Sequence, residues 1–506
     1  MTVPTLSHAA RAGLAAGGLA VLAGALTLNR NLVGVFYDDG VYAGLGWALG
    51  HGLGYVHPNL PGTPAAVHFP PLYPLLLAPL FSALPVAAAA LAGKVLNVGL
   101  AAVGAGLIAW HATRRELLGP DAPRWLAAAV VAAASLAIPV LTVLTALLSE
   151  PLFGLLLAGA IVCADDLPAG SGAPSGRAVL AGVGAAAALL ARSIGVAAGV
   201  GIVVFLMVVR RVEARTAVLT ALPVVLATLA WGWWTLSHRA GIDPAIAAGY
   251  GTYGDVIGQA GLSALATRSL DLPRPLAVLT LGWVPSVPVY YLLAVPALVV
   301  GLYGLIVLVS RSAIGATLVV YLAILAVWPV RADRFLWAVL PWIALAWAAG
   351  ALALWRHARL RLPLMVLATA LTLGYAVYEA RGFAGRWWAV SGQRISANFA
   401  ELVPWVETLP ADAVLATDAD PLVSLYTGRR TVPLYVYAYR GAGDAAFPPS
   451  EQLAFFQRAG VTHVLLGGPG ESAAQLDALL GAVPGRLKLV HRWPGQRLAF
   501  EMTGEH

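Results

Sequence analysis

Charged residues are scarce in this chain. Only 11% of its 506 residues are Asp, Glu, Lys or Arg, whereas about a quarter is usual in a soluble domain. Hydrophobic residues make up 59%, and several apolar runs are long enough to cross a bilayer. These runs do not alternate between polar and apolar residues, which favours membrane helices over a β-barrel. The composition therefore predicts an integral membrane protein made of helices.

Cysteine is almost absent as well. The one cysteine, Cys163, lies in an apolar run, so neither an intramolecular disulfide nor a thiolate metal site is available. The sequence also lacks internal repeats and coiled-coil patterns. Its short glycine clusters at 44–46 and 467–470 are not in the strand–turn–helix context of a nucleotide-binding fingerprint. No convincing cleavage site follows the first apolar run, so we expect a retained first helix.

The apolar runs predict about eleven transmembrane helices. Residues 177–211 are too long for one span, and we interpret them as two short helices that turn at Arg192. Two polar segments interrupt the runs: a Pro/Gly/Ser-rich loop at 165–176 and a mixed segment at 238–275. The other predicted helices lie near residues 12–34, 87–110, 124–146, 151–164, 216–236, 290–309, 313–329, 335–355 and 362–379.

Basic residues alternate between loops in a way that predicts orientation. The net charge is +7, and the basic clusters fall on one side of the predicted spans, which is cytoplasmic by the positive-inside rule. The excess charge also suits anionic lipid or a phosphate-bearing ligand. We therefore expect a multi-pass protein of the cell membrane with a cytoplasmic N-terminus. The opposite, outer face receives the loop after the first helix, Ser149-Glu150, Arg192, residues 250–255, and Arg331 with Arg334.

The composition changes after Arg381. We expect a membrane domain at residues 1–381 and a small soluble α/β domain at 382–506, on the outer face. Strands are predicted at 413–417, 461–467 and 487–490, and helices near 394–408, 451–459 and 471–482.

The first outer loop, at about residues 35–86, contains the leading candidates for chemistry. It is too polar to span the bilayer and too aromatic for a plain solvated loop, which is typical of the membrane interface. It begins with Asp38-Asp39, and a carboxylate there is a candidate general base. The alternative is an acidic pair that only caps a helix end.

Several basic residues near the outer face are candidate phosphate ligands. Ionisable groups near membrane depth are candidate functional sites, and Arg binds phosphate with two hydrogen bonds and a permanent charge. The alternative is snorkelling to lipid headgroups. The candidates are Arg331, Arg334, Arg192 and, as a weaker member, Lys94.

Candidate substrate-binding residues are Glu150, His68 and Tyr73. Glu150 lies in a Ser-Glu-Pro break and is expected to bond substrate or pair with an arginine, or alternatively to cap the next helix. Tyr73 is a candidate stacking surface for a sugar or prenyl chain, with interface anchoring as the alternative. The loop histidines match no metal-ligand spacing, so we predict no cofactor, while leaving a divalent metal open.

Four motifs in order carry a family resemblance. They are Tyr37-Asp38-Asp39-Gly40-Val-Tyr42, Pro70-Pro-Leu-Tyr-Pro74, Ser149-Glu150, and Arg331-Ala-Asp-Arg334-Phe-Leu-Trp-Ala-Val-Leu-Pro341. Over residues 10–380 the chain resembles the GT-C superfamily of polytopic glycosyltransferases, in particular the protein-mannosyltransferase and aminoarabinose-transferase-like group.

The resemblance implies a fold, a donor and roles for residues. Asp38 matches the catalytic acidic residue of the first outer loop, and Asp39 stands where the family commonly has Glu. Arg331 and Arg334 match the late basic motif near the phosphate of a lipid-linked donor. The family uses polyprenyl-phosphate sugars and transfers the sugar with inversion, and some distant members need a divalent metal.

We therefore expect a glycosyltransferase that moves a sugar from a polyprenyl phosphate to a lipid, glycan or protein acceptor on the outer face. No nucleic-acid partner is expected. Two alternatives come from other classes. A transporter or flippase of lipid-linked sugars predicts inverted repeats and broken mid-membrane helices, and a non-catalytic membrane anchor for residues 382–506 predicts a dispensable acidic pair.

Overall fold

The computed structural model describes residues 6–170, 175–261, 271–284, 286–440 and 443–503. Helices account for most of the chain up to Glu407, and all seven strands of the described residues come after it. Parts of the predicted loop at 165–176 and of the mixed segment at 238–275 lie outside the described residues. The expected order, membrane helices followed by an α/β region, is confirmed.

The predicted number of about eleven spans is not confirmed. Among the described residues, five helices are long and apolar enough to cross a membrane, or six if one bent pair counts as a single span. The described residues also form five shorter apolar helices. Four of them lie at predicted spans, and the fifth, Leu72–Ala83, lies in the first outer loop. The long helices are His8–Thr27, Val86–Arg114, Ala214–Gly241, Pro288–Arg311 and Ala358–Glu407, and the shorter ones are Leu72–Ala83, Ser175–Ala191, Ser193–Val209, Ala313–Ala326 and Leu340–Trp355.

The bent pair replaces the continuous helix predicted at 124–146, which was wrong. Leu126–Leu136 and Ile138–Leu144 meet at Ala137 with a bend of 65°. Pro139 is the second residue of the helix Ile138–Leu144, and its missing N–H and fixed φ fit the first turn of a helix. The free N–H of Ile138 is satisfied by the Glu379 carboxylate, at 3.2 and 3.1 Å from its two oxygens. The bend therefore has its own hydrogen-bond acceptor.

The break predicted at Arg192 is confirmed. The helix Ser175–Ala191 ends there, Arg192 is extended, and the chain resumes with a 3₁₀ turn at Ser193–Gly195 and the helix Val196–Val204. A turn of π-helix, Phe205–Val209, ends this segment. The break brings the Arg192 side chain to the same end of the helices as the first outer loop.

The first outer loop contains two short helices. The first transmembrane helix ends at Thr27 rather than near 34, and the chain is non-helical until the helix Asp38–Gly50. The helix Leu72–Ala83 follows, and Val56 and Ala65 form an isolated bridge between the two. The remaining helices near the site are Glu150–Asp165, Ala247–Tyr250, Tyr253–Ala260, Arg274–Leu281 and Asp333–Ala338.

The sheet region follows the helix Trp387–Glu407. Its strands are β1 (Val414–Thr417), β2 (Arg430–Pro433), β3 (Tyr437–Arg440), β4 (Gly443–Ala446), β5 (His463–Leu466), β6 (Leu487–Trp493) and β7 (Arg497–Met502). The main sheet has the order β2-β1-β5-β7-β6; β1 is parallel to β2 and β5, and β7 is antiparallel to β5 and β6. Strands β3 and β4 form a separate antiparallel pair. The helices of the sheet region are Asp420–Thr427, Pro449–Ala459 and Glu471–Ala482.

The sheet region packs directly on the first outer loop. Val35 is buried in an apolar cluster with Leu402, Leu422 and other residues of the sheet region. The backbone N–H of Leu32 donates to Ser396 Oγ at 2.9 Å, and that of Val33 donates to the Tyr426 hydroxyl at 3.1 Å. The segment before Asp38 is therefore held by residues about 360 to 390 positions later in the chain.

Candidate functional site

Asp38 and Asp39 begin the helix Asp38–Gly50, and their side chains have different surroundings. Successive helical residues point about 100° apart. The Asp38 side chain is 29% exposed, whereas Asp39 is buried and accepts the backbone N–H of Phe36 at 2.9 Å. Burial raises the pKa of Asp39 to about 6, and hydrogen bonds from the backbone at Gly34 and Phe36 limit the rise. Asp38 is thus the accessible member of the pair.

Tyr37 makes a strained turn in front of this helix. Its φ is 63° and its ψ is −70°, and the N–H of Asp38 donates to the Phe36 carbonyl at 2.8 Å. These values describe a γ-turn with positive φ, which is rare and strained for a residue with a side chain. The turn sets the direction in which Asp38 leaves the backbone.

Asp38 belongs to a network of charged side chains from four parts of the chain. Arg334 donates from one terminal nitrogen to Asp38 Oδ2 at 2.6 Å and from the other to Glu150 Oε1 at 2.9 Å. Arg192 reaches the same Glu150 oxygen at 2.8 Å. Two carboxylates thus balance two guanidinium groups.

Glu150 and Arg192 form the buried part of this network, and Arg192 has further contacts with neighbouring side chains. The side chains of Glu150 and Arg192 are 2% and 9% exposed, whereas that of Arg334 is 34% exposed. Arg192 also lies over the Phe335 ring, 4.7 Å from its centroid, and donates to Ser149 Oγ at 3.3 Å. A buried charged group needs such partners, and they fix the rotamer of Arg192. The exposed end of the network is therefore the pair Asp38–Arg334.

A cavity of about 650 Å³ opens beside this pair. Arg334 and Arg331 are on its wall, together with Arg274, Asp271 and Asp333. The remainder of the lining is mostly apolar. It comes from the bent helix pair, the helices at 274–281, 313–326 and 333–338, the last long helix, and the chain at Phe36 and Leu148. These apolar residues include Phe36, Ile138, Pro139, Val143, Leu148, Val278, Leu279, Leu325, Trp337 and Trp387.

The other candidates lie outside this network. His68 stacks at a tilt on Tyr253, with ring centroids 4.5 Å apart, and its Nδ1 contacts the Gly251 carbonyl at 2.6 Å. Burial lowers the pKa of His68. Tyr73 is fully buried and donates to Asn97 Oδ1 at 3.0 Å. Lys94 is buried and donates to Asn29 and Asn31 after the first helix, away from the cavity.

The structure thus brings Asp38, Glu150, Arg192 and Arg334 together, with Arg331 on the same cavity wall. Of the network, Arg334 is the member that lines the cavity, and Asp38 reaches it through its contact with Arg334. The predicted residues His68, Tyr73 and Lys94 are not in the cavity lining. Sequence reasoning missed Arg274, although the Arg-Pro that begins the helix Arg274–Leu281 carries the same signal as Arg331, a cation at an apolar boundary. Within the described part of the chain, no three His, Cys, Asp or Glu side chains cluster as a metal site would require.

Comparison with known proteins gives matches among solved structures alone. No protein-family model and no curated protein sequence matches the chain. The apo crystal structure of ArnT from Cupriavidus metallidurans matches with 14% identity over 96% of both chains and a TM-score of 0.54. The oligosaccharyltransferase of Archaeoglobus fulgidus, as a complex with Zn and sulfate, matches with 12% identity over 97% of this chain and 73% of its own, with a TM-score of 0.52.

The alignments cover almost the whole chain, but sequence identity is low. They therefore show a similar overall fold. Both proteins are GT-C glycosyltransferases, the class that the four sequence motifs resemble. The similarity covers the helices and the sheet region together, since almost the whole chain is aligned in each case. The chain therefore shares the overall fold of these two proteins, and its long apolar helices indicate a membrane protein.

Proposed function

We propose that this protein is a membrane glycosyltransferase that takes a sugar from a polyprenyl-phosphate donor and transfers it to a lipid, glycan or protein acceptor. The observation that carries this proposal is the contact of Asp38 with Arg334. The two residues are 296 positions apart, yet their side chains meet at 2.6 Å beside a cavity that combines apolar walls with arginines. A carboxylate and a guanidinium are the two groups that such a transfer requires.

The cavity suits a donor with an apolar chain and a phosphate. Its walls of Ile, Val, Leu and Trp are suited to prenyl units, and Arg331, Arg334 and Arg274 are suited to the phosphate. Arg binds phosphate oxygens through paired hydrogen bonds without losing its charge. We therefore assign the donor to this cavity, with the sugar next to Asp38.

Donor binding would also release the catalytic carboxylate. Arg334 is shared between Asp38 and Glu150. A donor phosphate competes with Asp38 for the exposed nitrogen, while buried Glu150 keeps the other side of the guanidinium in place. The exchange leaves Asp38 free to accept a proton only when the donor is present.

The chemical step is a single displacement. The acceptor hydroxyl oxygen attacks the anomeric carbon, and its proton passes to the Asp38 carboxylate. The bond from the anomeric carbon to the phosphate oxygen breaks, and polyprenyl phosphate leaves with the electron pair, stabilised by Arg331 and Arg334. One in-line displacement without a sugar–enzyme bond inverts the configuration. We place the reaction on the outer face of the cell membrane, with the sheet region on the same side.

Asp38→Asn tests the proposal. Removal of a general base is expected to lower transfer by about a hundred- to ten-thousandfold. The measurement uses purified protein in micelles, radiolabelled polyprenyl-phosphate hexoses and pentoses as donors, and a membrane extract as acceptor. Asp121→Asn is the matched control, because Asp121 is 84% exposed and pairs with Arg356 in the loops predicted to be cytoplasmic. Turnover at the wild-type level in Asp38→Asn would exclude Asp38 as the base.

A further inference from the structure

Asp420 is a carboxylate of the sheet region that is buried against the membrane part of the chain. It begins the helix Asp420–Thr427 and is 1% exposed. Its Oδ2 accepts a hydrogen bond from the Tyr250 hydroxyl and another from Asn59 Nδ2 at 3.2 Å. Asn59 also donates to the Tyr250 hydroxyl at 2.7 Å. Asn59, Tyr250 and Asp420, which are far apart in the sequence, therefore form one buried hydrogen-bonded cluster.

Tyr250 connects this cluster to Tyr37. The two rings are edge-to-face, with centroids 5.9 Å apart. Gly249 leaves the space for the Tyr37 side chain, because a Cβ at that position would lie 2.9 Å from the Tyr37 hydroxyl oxygen. The Tyr37 side chain is thus enclosed by the segment before Tyr250 and by Tyr250 itself.

Tyr37 is also the residue with the strained backbone in front of Asp38. A φ of 63° is unfavourable for tyrosine, and such strain persists only where surrounding contacts hold the residue in place. Backbone hydrogen bonds of Tyr37 to Gly34 and Gly40 hold part of the turn. The side chain of Tyr37 adds contacts that lead through Tyr250 to Asp420. Loss of the anchor would let the turn relax and change the direction of Asp38.

Backbone contacts make the connection between Asp420 and this loop rigid. The N–H of Thr431 donates to the Asn59 carbonyl at 2.7 Å, and the Thr431 hydroxyl donates to the Asp420 carbonyl at 2.7 Å. Next to Asp420, Pro421 packs so closely on Gly40 that a Cβ there would lie 2.8 Å from the proline Cβ. The helix that begins with Asp38 therefore has a fixed position relative to Asp420.

We propose that Asp420 is a positioning residue for the transfer reaction: through Tyr250 it holds the strained turn at Tyr37 and so orients the Asp38 carboxylate. The proposal rests on the proposed function, in which Asp38 is the base. In this proposal the sheet region orients the general base, a role that does not depend on binding of the acceptor.

The direct test compares Asp420→Asn and Tyr250→Phe with the wild type. Asn has the shape of Asp but has an amide NH2 group in place of one carboxyl oxygen, and that group cannot accept the hydrogen bonds from Tyr250 and Asn59. Phe removes one hydroxyl. Turnover at saturating donor, measured with the same radiolabelled polyprenyl-phosphate sugar, is expected to fall roughly ten- to hundredfold, since small misplacement of a reacting group has effects of that size. The KM for the donor is expected to stay within about twofold, because the donor arginines are not in this chain of contacts.

A second test separates positioning from a purely structural role. Tyr37→Gly removes the anchored side chain, and glycine adopts positive φ without strain. If Asp420 acts through Tyr37, Asp420→Asn should cause no further loss of turnover in the Tyr37→Gly protein. An equal fold-loss in both backgrounds would overturn the proposal, and so would wild-type turnover in Asp420→Asn and Tyr250→Phe.

Arg458→Gln is the matched control. Arg458 also joins the sheet region to the membrane part of the chain, because its Nε lies 3.1 Å from Oδ2 of Asp243. Its side chain is 55% exposed, and its ion pair involves neither Tyr37 nor Tyr250. It is expected to keep wild-type turnover. If Asp420→Asn does not fold, Tyr250→Phe and Tyr37→Phe decide the question, because each removes a single hydroxyl. Failure of Asp38→Asn to lose activity would refute the proposed function itself, whatever the Asp420 variants do.

Discussion

Arg334 joins the two halves of the candidate site. Its guanidinium uses Nε and one terminal nitrogen on Glu150 and the other terminal nitrogen on Asp38. This arrangement needs a planar group with several donors, which lysine does not have. Glu150 in turn is shared with Arg192, so that one buried carboxylate orients both arginines.

Arg334→Lys is therefore not expected to be conservative. A lysine ammonium can bond Glu150 or a donor phosphate but cannot keep both in the fork geometry. Loss of hydrogen bonds between charged groups is expected to raise the donor KM roughly ten- to hundredfold, with a fall in turnover. Donor titration in the transfer assay measures both. Arg356→Lys, at an exposed ion pair with Asp121, is the control and is expected to behave as the wild type. An unchanged KM in Arg334→Lys would contradict phosphate binding by Arg334.

The raised pKa of Asp420 also leads us to predict how the free energy of unfolding depends on pH. Burial raises its pKa from 3.8 to about 7, an effect that hydrogen bonds from Tyr250 and Asn59 oppose. Between pH 4 and pH 7 the folded protein keeps a proton on Asp420 that the unfolded chain releases. The contribution of Asp420 to stability is therefore largest at the acid end of this window and is lost as pH rises toward 7.

Asp420→Asn should flatten this dependence, because the amide does not titrate. The apparent melting temperature in detergent, measured from pH 4 to pH 8, is expected to fall less with pH than that of the wild type. Asp477→Asn, at an exposed position in the helix Glu471–Ala482, is expected to keep the wild-type slope. A slope in Asp420→Asn equal to that of the wild type would show that Asp420 does not exchange a proton on unfolding.

At the scale of single elements, the breaks in the helices shape the site more than the helices do. Arg192 is free to reach Glu150 because its own backbone is extended between two helices. The bend at Ala137 lets Ile138 and Pro139 line the cavity beside Arg334. Each break leaves backbone groups that a continuous helix would satisfy, and each therefore needs a partner elsewhere.

Glu379→Leu tests the partner of the bend at Ala137. It removes the oxygens that accept the Ile138 N–H, and an unsatisfied buried donor costs about 1–3 kcal/mol. We expect a lower apparent melting temperature and weaker donor binding, since Ile138 and the neighbouring Tyr378 line the cavity. Glu379→Gln retains one carbonyl oxygen of similar shape and should lose much less. Equal effects of the two substitutions would mean that the hydrogen bond from the Ile138 N–H does not stabilise the bend.

At the scale of the whole molecule, the sheet region and the charged network lie at the same end of the helices. The first outer loop lies between them, bonded to Ser396, Tyr426 and Thr431 on the sheet side. At the other end, buried His111 pairs with Asp165 at 2.8 Å among loops rich in arginine. This division predicts which parts of the chain face opposite sides of the membrane.

Cysteine labelling can measure that division. In a Cys163→Ala background, Asp477→Cys and Asp121→Cys each place one thiol at an exposed position, the first in the sheet region and the second in a loop at the opposite end. A membrane-impermeant maleimide added to intact cells stripped of their outer layers is expected to label the first and not the second. Inverted vesicles should give the opposite pattern. Labelling of both from one side would contradict the proposed orientation.

Local pattern was enough for the membrane class, the order of helices and strands and the break at Arg192. It also indicated Asp38, Arg331 and Arg334 as site residues, and their roles stay predictions. Apolar length, prolines and charges at apolar boundaries act over a few neighbouring residues and can be read from a single sequence. Tertiary structure alone decided that Arg334 holds Asp38 across 296 positions, that Lys94 and Tyr73 lie away from the cavity, that the helix bends at Ala137, and that Asp420 reaches Tyr250. These contacts depend on how distant helices pack, and packing is determined by the shapes of whole elements rather than by the sequence near any one residue.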